Sequence, residues 1–340
     1  MVQATITDVA HKAGVSERTV SRVINASPKV NEATRSRVLK VIESLKYVPS
    51  LGARALASNR SSLIGLLHDD PNAVALDLAQ RGIFAVCAER GYELVVHPCQ
   101  FSSPQLVDHV LAFARRSRVD GLVLLPPVTE HKELAAALRE SGIPTVGIAS
   151  VRYKTYGFML VTKERAAAAA MAEHLIGLGH KHFGLILGPR HHRSASEREA
   201  GFTKTLKAHG LRLHADDVIE GDYSFSSGVK CGEKLLATRR PTAIFACNDR
   251  MAAGVLKAAV DRGVRVPQDL SVAGFDDSEI ASMVTPSLTT IRRPFKVMAE
   301  EAARWLTQES GTSAKRKANA HKAFDLLVVE RESSGRAPIR

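Results

Sequence analysis

Ile6, Val9, Ala10 and Ala13 recur at i, i+3, i+4 and i+7, one apolar stripe on a 3.6-residue period, which predicts a short helix at the start of the chain. Thr5 and Asp8 stand three apart at its head, where a hydroxyl and a carboxylate can cap free N–H groups. Gly14, tolerant of left-handed backbone, predicts its end. Ser16 offers a second N-cap. Over 17–25, Val20, Val23 and Ile24 face one way, while Glu17, Arg18, Ser21, Arg22 and Asn25 form a polar face opposite. Two short helices joined through Gly14-Val15-Ser16 read as a helix-turn-helix, whose second helix lays its outer face in the major groove. An ordinary helical corner with a solvated face has the same periodicity. Asn31 predicts a cap for a third helix over 32–45, striped by Val38, Val41, Ile42 and Leu45, which completes a three-helix core. Pro49 forbids continuation. The segment 50–58 is only about two turns long and contains Gly52, so it is marginal as a helix in water and reads equally as a linker.

Beyond Arg60 the rhythm changes. Short β-rich runs at 63–67, 93–97, 121–125, 145–148, 183–187, 243–246 and 271–275 alternate with helical patterns such as 78–89, 133–141, 166–178 and 250–262. That alternation predicts an α/β fold with parallel, doubly wound sheets, and about 280 residues suit two lobes better than one. Ligands bind at strand ends in such folds. There lie Asn248-Asp249 after 243–247, Phe275-Asp276-Asp277 after 271–274, and a polar loop with Arg198 and Gly201 after 185–187. Amide, carboxylate and guanidinium groups converging at strand ends suit a hydroxyl-rich ligand, with Tyr223 and Phe295 as apolar walls. Singly these residues are weak signals, since Asn-Asp is as often a helix cap and Arg198 as often a surface ion pair.

Charge sharpens the picture. Residues 1–60 hold ten Lys/Arg against four acids, an excess of six that is half of the chain's net +12. So basic a unit attracts a polyanion, either DNA or an anionic membrane. The four cysteines, Cys87, Cys99, Cys231 and Cys247, are scattered without a Cys-x-x-Cys pair and read as reduced core thiols. No run of about 18 apolar residues predicts a membrane span, and the first residues lack a basic stretch followed by an apolar one, so the expected location is cytoplasmic. His191-His192 lacks a third ligand at suitable spacing, so no metal and no cofactor is expected. An α/β enzyme is disfavoured because no P-loop, Gly-x-Ser-x-Gly or Gly-x-Gly-x-x-Gly occurs.

The runs Thr5-Ile6-Thr7-Asp8-Val9-Ala10, Ala13-Gly14-Val15-Ser16 and Thr19-Val20-Ser21-Arg22-Val23-Ile24-Asn25, followed by Tyr47-x-Pro49 and Ala53-Arg54-Ala55-Leu56, resemble the headpiece and hinge of the lactose/galactose repressor (LacI/GalR) family. Asn248-Asp249-Arg250-Met251-Ala252-x-Gly254, Gly274-Phe275-Asp276-Asp277 and Leu288-Thr289-Thr290-Ile291 are similar to its effector domain, whose fold is that of periplasmic sugar-binding proteins. The resemblance covers essentially the whole chain. It implies a homodimeric repressor on a palindromic operator, most simply of carbohydrate genes, with allosteric control by a sugar. A solute receptor for transport shares the effector fold, but the attached headpiece argues against it.

By position, the resemblance implies DNA contacts from Thr5, Ser16, Glu17, Arg18, Thr19, Ser21, Arg22, Asn25, Tyr47, Arg54 and Leu56. Glu17 and Arg18 are then the main base-reading pair, and Leu56 is a minor-groove wedge from a hinge helix that orders on DNA. Arg suits guanine and Glu can accept from cytosine, or Glu17 simply orients Arg18. Arg198, Tyr223, Asn248, Asp276 and Phe295 are implied effector contacts. The expected division is 1–46 as DNA-binding domain, 47–60 as hinge and 61–340 as effector and dimerisation domain. Within the last, one lobe takes about 61–160 plus 291–322 and the other about 161–290 plus 323–340. Val161-Thr162-Lys163-Glu164 departs from the family's usual acidic or acid-amide pair before the inter-lobe helix, as does Arg152-Tyr153-Lys154-Thr155-Tyr156 from its common pattern.

Overall fold

The structure, a computed structural model, describes residues 4–24, 27–47, 60–69, 74–238, 241–308 and 320–339. It divides into two compact units, residues 1–63 with 118–120, and the remainder.

The first unit opens with α1 (Ile6–Ala13), α2 (Glu17–Ile24) and α3 (Glu32–Ser44). Each start follows from its cap. Thr5 and Asp8 form a reciprocal capping box, with the Asp8 N–H donating to Thr5 Oγ1 at 3.3 Å and the Thr5 N–H donating to Asp8 Oδ2 at 2.8 Å. Ser16 Oγ accepts from the Thr19 N–H, and Asn31 Oδ1 from the Thr34 N–H. Gly14 adopts φ 63°, and its N–H closes α1 on the carbonyls of Ala10 and His11. The core is Val9, Ala10, Ala13, Val20, Val23, Val38 and Tyr47, with Val41, Ile42 and Leu45 packed against it. Three helices of this size bury little, so the caps carry a large share of their stability, about 1 kcal/mol each.

In the second unit, a six-stranded sheet has the order β11-β5-β4-β3-β1-β2. Its strands are β1 (Leu63–His68), β2 (Glu93–Pro98), β3 (Gly121–Leu124), β4 (Thr145–Ala149), β5 (Phe158–Thr162) and β11 (Ala320–Phe324). The pairs β1/β3, β3/β4, β4/β5 and β5/β11 are parallel. A second parallel sheet, β7-β6-β8-β9, comprises β6 (Phe183–Leu187), β7 (Val218–Glu220), β8 (Ala243–Ala246) and β9 (Ser271–Ala273). The central strands β3, β4, β6 and β8 are buried along their whole length, as parallel strands covered on both faces must be. Each sheet heads its own hydrophobic core, making two lobes.

The lobes are not consecutive in the chain. From the first sheet, β5 leads into α7 (Glu164–Gly177), packed in the second lobe's core. The antiparallel pair β10 (Thr290–Arg292) and β12 (Leu327–Val329) brackets a return. Between them, α12 (Phe295–Leu306) packs in the first lobe's core, and β11 extends its sheet. The chain thus crosses between lobes three times, near 163, 293 and 325. Strands β5, β10 and β11 run through the divisions expected at 160/161, 290/291 and 322/323, so each crossing falls two or three residues later.

Candidate functional site

Strand ends of the second lobe build one side of a cleft of about 330 Å³, at the small end for ligand sites. Its lining includes all five expected effector residues, Arg198, Tyr223, Asn248, Asp276 and Phe295. They do not play equal parts. Asn248 follows β8 and is the N-cap of α10 (Asp249–Asp261): its Oδ1 accepts the Met251 N–H at 2.8 Å, and its Nδ2 donates to Tyr223 O at 2.9 Å. The cap also positions Tyr223, whose hydroxyl lies 3.4 Å from Ser194 Oγ. Tyr223 and Asp276 both line the cleft with left-handed backbone, φ 67° and 111°. Non-glycine residues in that region store strain, which concentrates at functional sites.

Arg198 comes from α8 (Arg193–Ala208) and is only 3% exposed. Its guanidinium lies over the Phe275 ring, 3.6 Å from the centroid, and donates to Cys247 O and to Glu164 Oε2, the latter at 2.8 Å. Burial opposes the charge, but Glu164 and the other groups around it hold its pKa above the usual arginine value. Glu164 is 1% exposed. Burial opposes its ionisation too, yet the charges of Arg198 and Arg293 and hydrogen bonds from Arg198 and Thr162 keep its pKa below the ordinary value. Arg293, which also lines the cleft, reaches Asp276 Oδ1 at 2.9 Å and stacks over Phe295 at 4.6 Å.

Glu164 and Arg293 were not among the expected site residues. Glu164 carried a signal, the departure at 161–164. Arg293 carried none, since it is 129 positions from Glu164 and only the fold brings them together. Asp249 belongs here too. It accepts from the Ser278 N–H and Oγ and from Thr290 Oγ1, yet burial and the nearby Asp276 push its pKa up to about 7.

The first lobe closes the cleft with Asp69, Pro126 and Phe295. Its Phe101 ring lies 6.2 Å from His191 of the second lobe. Glu130, ending a 3-10 turn (Val128–Glu130), accepts the N–H of Arg193, the first residue of α8, at 3.0 Å. Burial pushes the Glu130 pKa up to about 7, against the lowering effect of that hydrogen bond. A carboxyl whose folded pKa exceeds its unfolded value stabilises the protein at low pH and loses that contribution as pH rises through about 7. Glu130→Gln should therefore gain on wild type in Tm as pH rises from about 5 to about 7 and hold that gain above it. A Tm difference independent of pH would show that Glu130 stays ionised throughout.

The helix-turn-helix unit has its own candidate surface. On α2, Glu17 and Arg18 are exposed, and Thr19, Ser21 and Arg22 half-exposed. Glu17 accepts from Thr7 Oγ1 at 2.7 Å, tying the first turn of α2 to α1. Thr5 and Ser16 serve as caps. Tyr47 is 7% exposed and packs into the three-helix core rather than standing on the outer face. Asn25, Arg54 and Leu56 lie outside the described residues, as does most of the expected hinge.

Among the described residues, no helix is long and apolar enough to cross a membrane, and no group of His, Cys, Asp and Glu is arranged to hold a metal ion. A helix-turn-helix unit joined to a two-lobed polar cleft defines a class, the ligand-responsive DNA-binding regulators. The pattern of bacterial regulatory proteins of the lacI family matches residues 5–50, and that of a periplasmic binding protein-like domain matches 172–334. Catabolite control protein A of Priestia megaterium is 34% identical over 313 residues, covering 90% of this chain and 92% of that protein. The ribose operon repressor of Escherichia coli (strain K12) is 35% identical over 300 residues, 88% of this chain and 91% of that one. Among solved structures, the Lac repressor dimer bound to operator and the anti-inducer ONPF matches with a TM-score of 0.86 and 29% identity, over 98% of this chain and 100% of that chain. The chain belongs to the LacI family of transcriptional regulators, and these relatives are named as regulators rather than enzymes.

Proposed function

We propose that this protein is a cytoplasmic, homodimeric repressor that binds a palindromic operator and is controlled by a small neutral sugar in the inter-lobe cleft. The convergence of Arg198, Tyr223, Asn248, Asp276 and Phe295 on one cleft, in a chain that also carries the helix-turn-helix, supports this reading most strongly. Residues 1–46 bind DNA, 47–60 form the hinge and the rest binds effector and dimerises. The ribose operon repressor, and a LacI-family structure holding ribose, favour carbohydrate genes as targets. Closing the lobes on a ligand changes how two subunits pack and so the spacing of two headpieces. Such linkage typically amounts to roughly 1–3 kcal/mol, about 5–150-fold in operator affinity.

On α2, Arg18 reads a base and Arg22 is a further reader, with Ser16, Thr19 and Ser21 at the groove edge. Thr5 acts near the backbone and Asn25 at the end of the recognition segment, while Arg54 and Leu56 extend the contact into the hinge; Tyr47, buried in the core, supports the headpiece from within. The test is selection of a palindromic duplex by the purified protein, followed by titration with D-ribose and cellobiose. Arg18→Ala should cost about 1–3 kcal/mol on the selected duplex and relax preference at one position per half-site. Equal weakening on every sequence would reduce Arg18 to a phosphate contact. No preference for any palindrome, with or without sugars, would end the proposal.

A further inference from the structure

The second residue of the divergent Lys163-Glu164 pair is buried directly behind the lining of the cleft. Glu164 is the first residue of α7, immediately after the first crossing between lobes. Its Oε2 accepts from Arg198 Nε at 2.8 Å; its Oε1 accepts from Thr162 Oγ1 at 3.0 Å and lies 3.7 Å from Arg293 Nη1. Arg293 Nη2 is 2.9 Å from Asp276 Oδ1. The four groups therefore form an alternating chain, Arg198, Glu164, Arg293, Asp276, with two cations and two anions. Arg198, Arg293 and Asp276 line the cavity, and Glu164 stands behind them. Without Glu164, two guanidiniums would share a single carboxylate in a site largely shut from water. A guanidinium left uncompensated there takes up a carboxylate or phosphate.

We propose that Glu164 determines effector class: as the built-in counter-anion of Arg198 and Arg293 it bars carboxylate- and phosphate-bearing ligands and restricts the cleft to neutral polyols. The proposal rests on reading the cleft as the effector site. It also assigns a donor for a ligand hydroxyl, because Arg293 Nε is buried without a hydrogen-bond acceptor.

The experiment compares full-length wild type, Glu164→Gln and the double variant Glu164→Gln/Arg293→Gln by calorimetry with inorganic phosphate and with D-gluconate, at constant ionic strength and without DNA. Anion binding by the basic headpiece is common to all three and cancels. Glu164→Gln should gain anion affinity about tenfold or more over wild type, the factor a single charge-assisted contact supplies, and the double variant should lose that gain. If Glu164→Gln does not fold alone, phosphate should restore its folding where chloride does not. A folded Glu164→Gln that gains no affinity, a wild type that binds phosphate as tightly, a double variant that keeps the gain, or an unfolded variant that phosphate fails to rescue would each overturn the proposal. Sugar-dependent operator binding by wild type is measured separately. Its absence would remove the effector reading, whereas the charge gating has its own readout in the anion titration.

Discussion

Arg198→Ala should lower the stability of the two-lobed unit by about 3–5 kcal/mol and abolish any effector response. Both members of the Arg198–Glu164 pair are at least 97% buried, and truncating one leaves the other as a charge in a poorly solvated site. Arg293 compensates only in part, since its nearest nitrogen stands 3.7 Å from Glu164 and it is shared with Asp276. Two further contacts go with the side chain, the stack on Phe275 and the hydrogen bond to Cys247 O, which fixes the strand end next to Asn248. Denaturant unfolding would measure the loss. Removing both partners, Arg198→Met with Glu164→Leu, should recover much of it, because burying no charge costs less than burying an unpaired one. A loss below about 1 kcal/mol for Arg198→Ala would mean that water reaches Glu164 and the pair is effectively a surface one.

Gly254→Val should be nearly as damaging, at about 3 kcal/mol or more, the upper end for overpacking. Gly254 lies on α10 where it meets α9 (Phe225–Thr238). A Cβ there would stand 2.5 Å from Val229 N and 2.7 Å from Gly228 C, both backbone atoms that no rotamer change can move. The helices would have to separate, displacing the start of α10 that Asn248 caps and Asp249 anchors to Ser278. Unfolding should become easier for the second lobe first, visible as hydrogen exchange rising in β6 and β8 before β3 and β4. Uniform protection across both sheets would indicate that the two lobes unfold as one unit.

Local chemistry made the first unit legible almost residue by residue. Thr5, Asp8, Gly14, Ser16 and Asn31 carry their structural meaning in their own side chains or lack of one, and the apolar stripes follow a single period. The buried parallel strands were equally clear as short β-rich runs, with the exception of β5, which none of the expected runs covers. Strand β11, Ala-His-Lys-Ala-Phe, was not clear, because an edge strand with its three central residues exposed has no hydrophobic pattern. Strands β7 and β10, three residues each, are too short to show one. Helix α8 carries Arg, Ser and Glu where the ligand cleft meets it, which masks its periodicity. In the site, Asn248 and Asp276 were visible because strand ends follow from the strands, whereas Arg198, expected in a polar loop, stands within helix α8. The pairing of Glu164 with Arg293 was not visible, since it depends on where two separate crossings pass each other. Tyr47 illustrates the opposite limit: position suggested an outward role, whereas its ring was the remaining large apolar group available to close a very small core.

The three passages of the chain between lobes bear on how the protein is made. The headpiece is synthesised in full before either sheet lobe begins to emerge from the ribosome. Neither sheet lobe is finished so early. The first waits for β11, which ends at Phe324, and the second for β12 and the segment in which Ser333 bonds to Thr289 and Val272 and the Gly335 carbonyl accepts from Ser271 and His180. A nascent chain stalled, or a message cut short, anywhere before residue 320 would therefore release a DNA-binding head on a body with both halves unfinished.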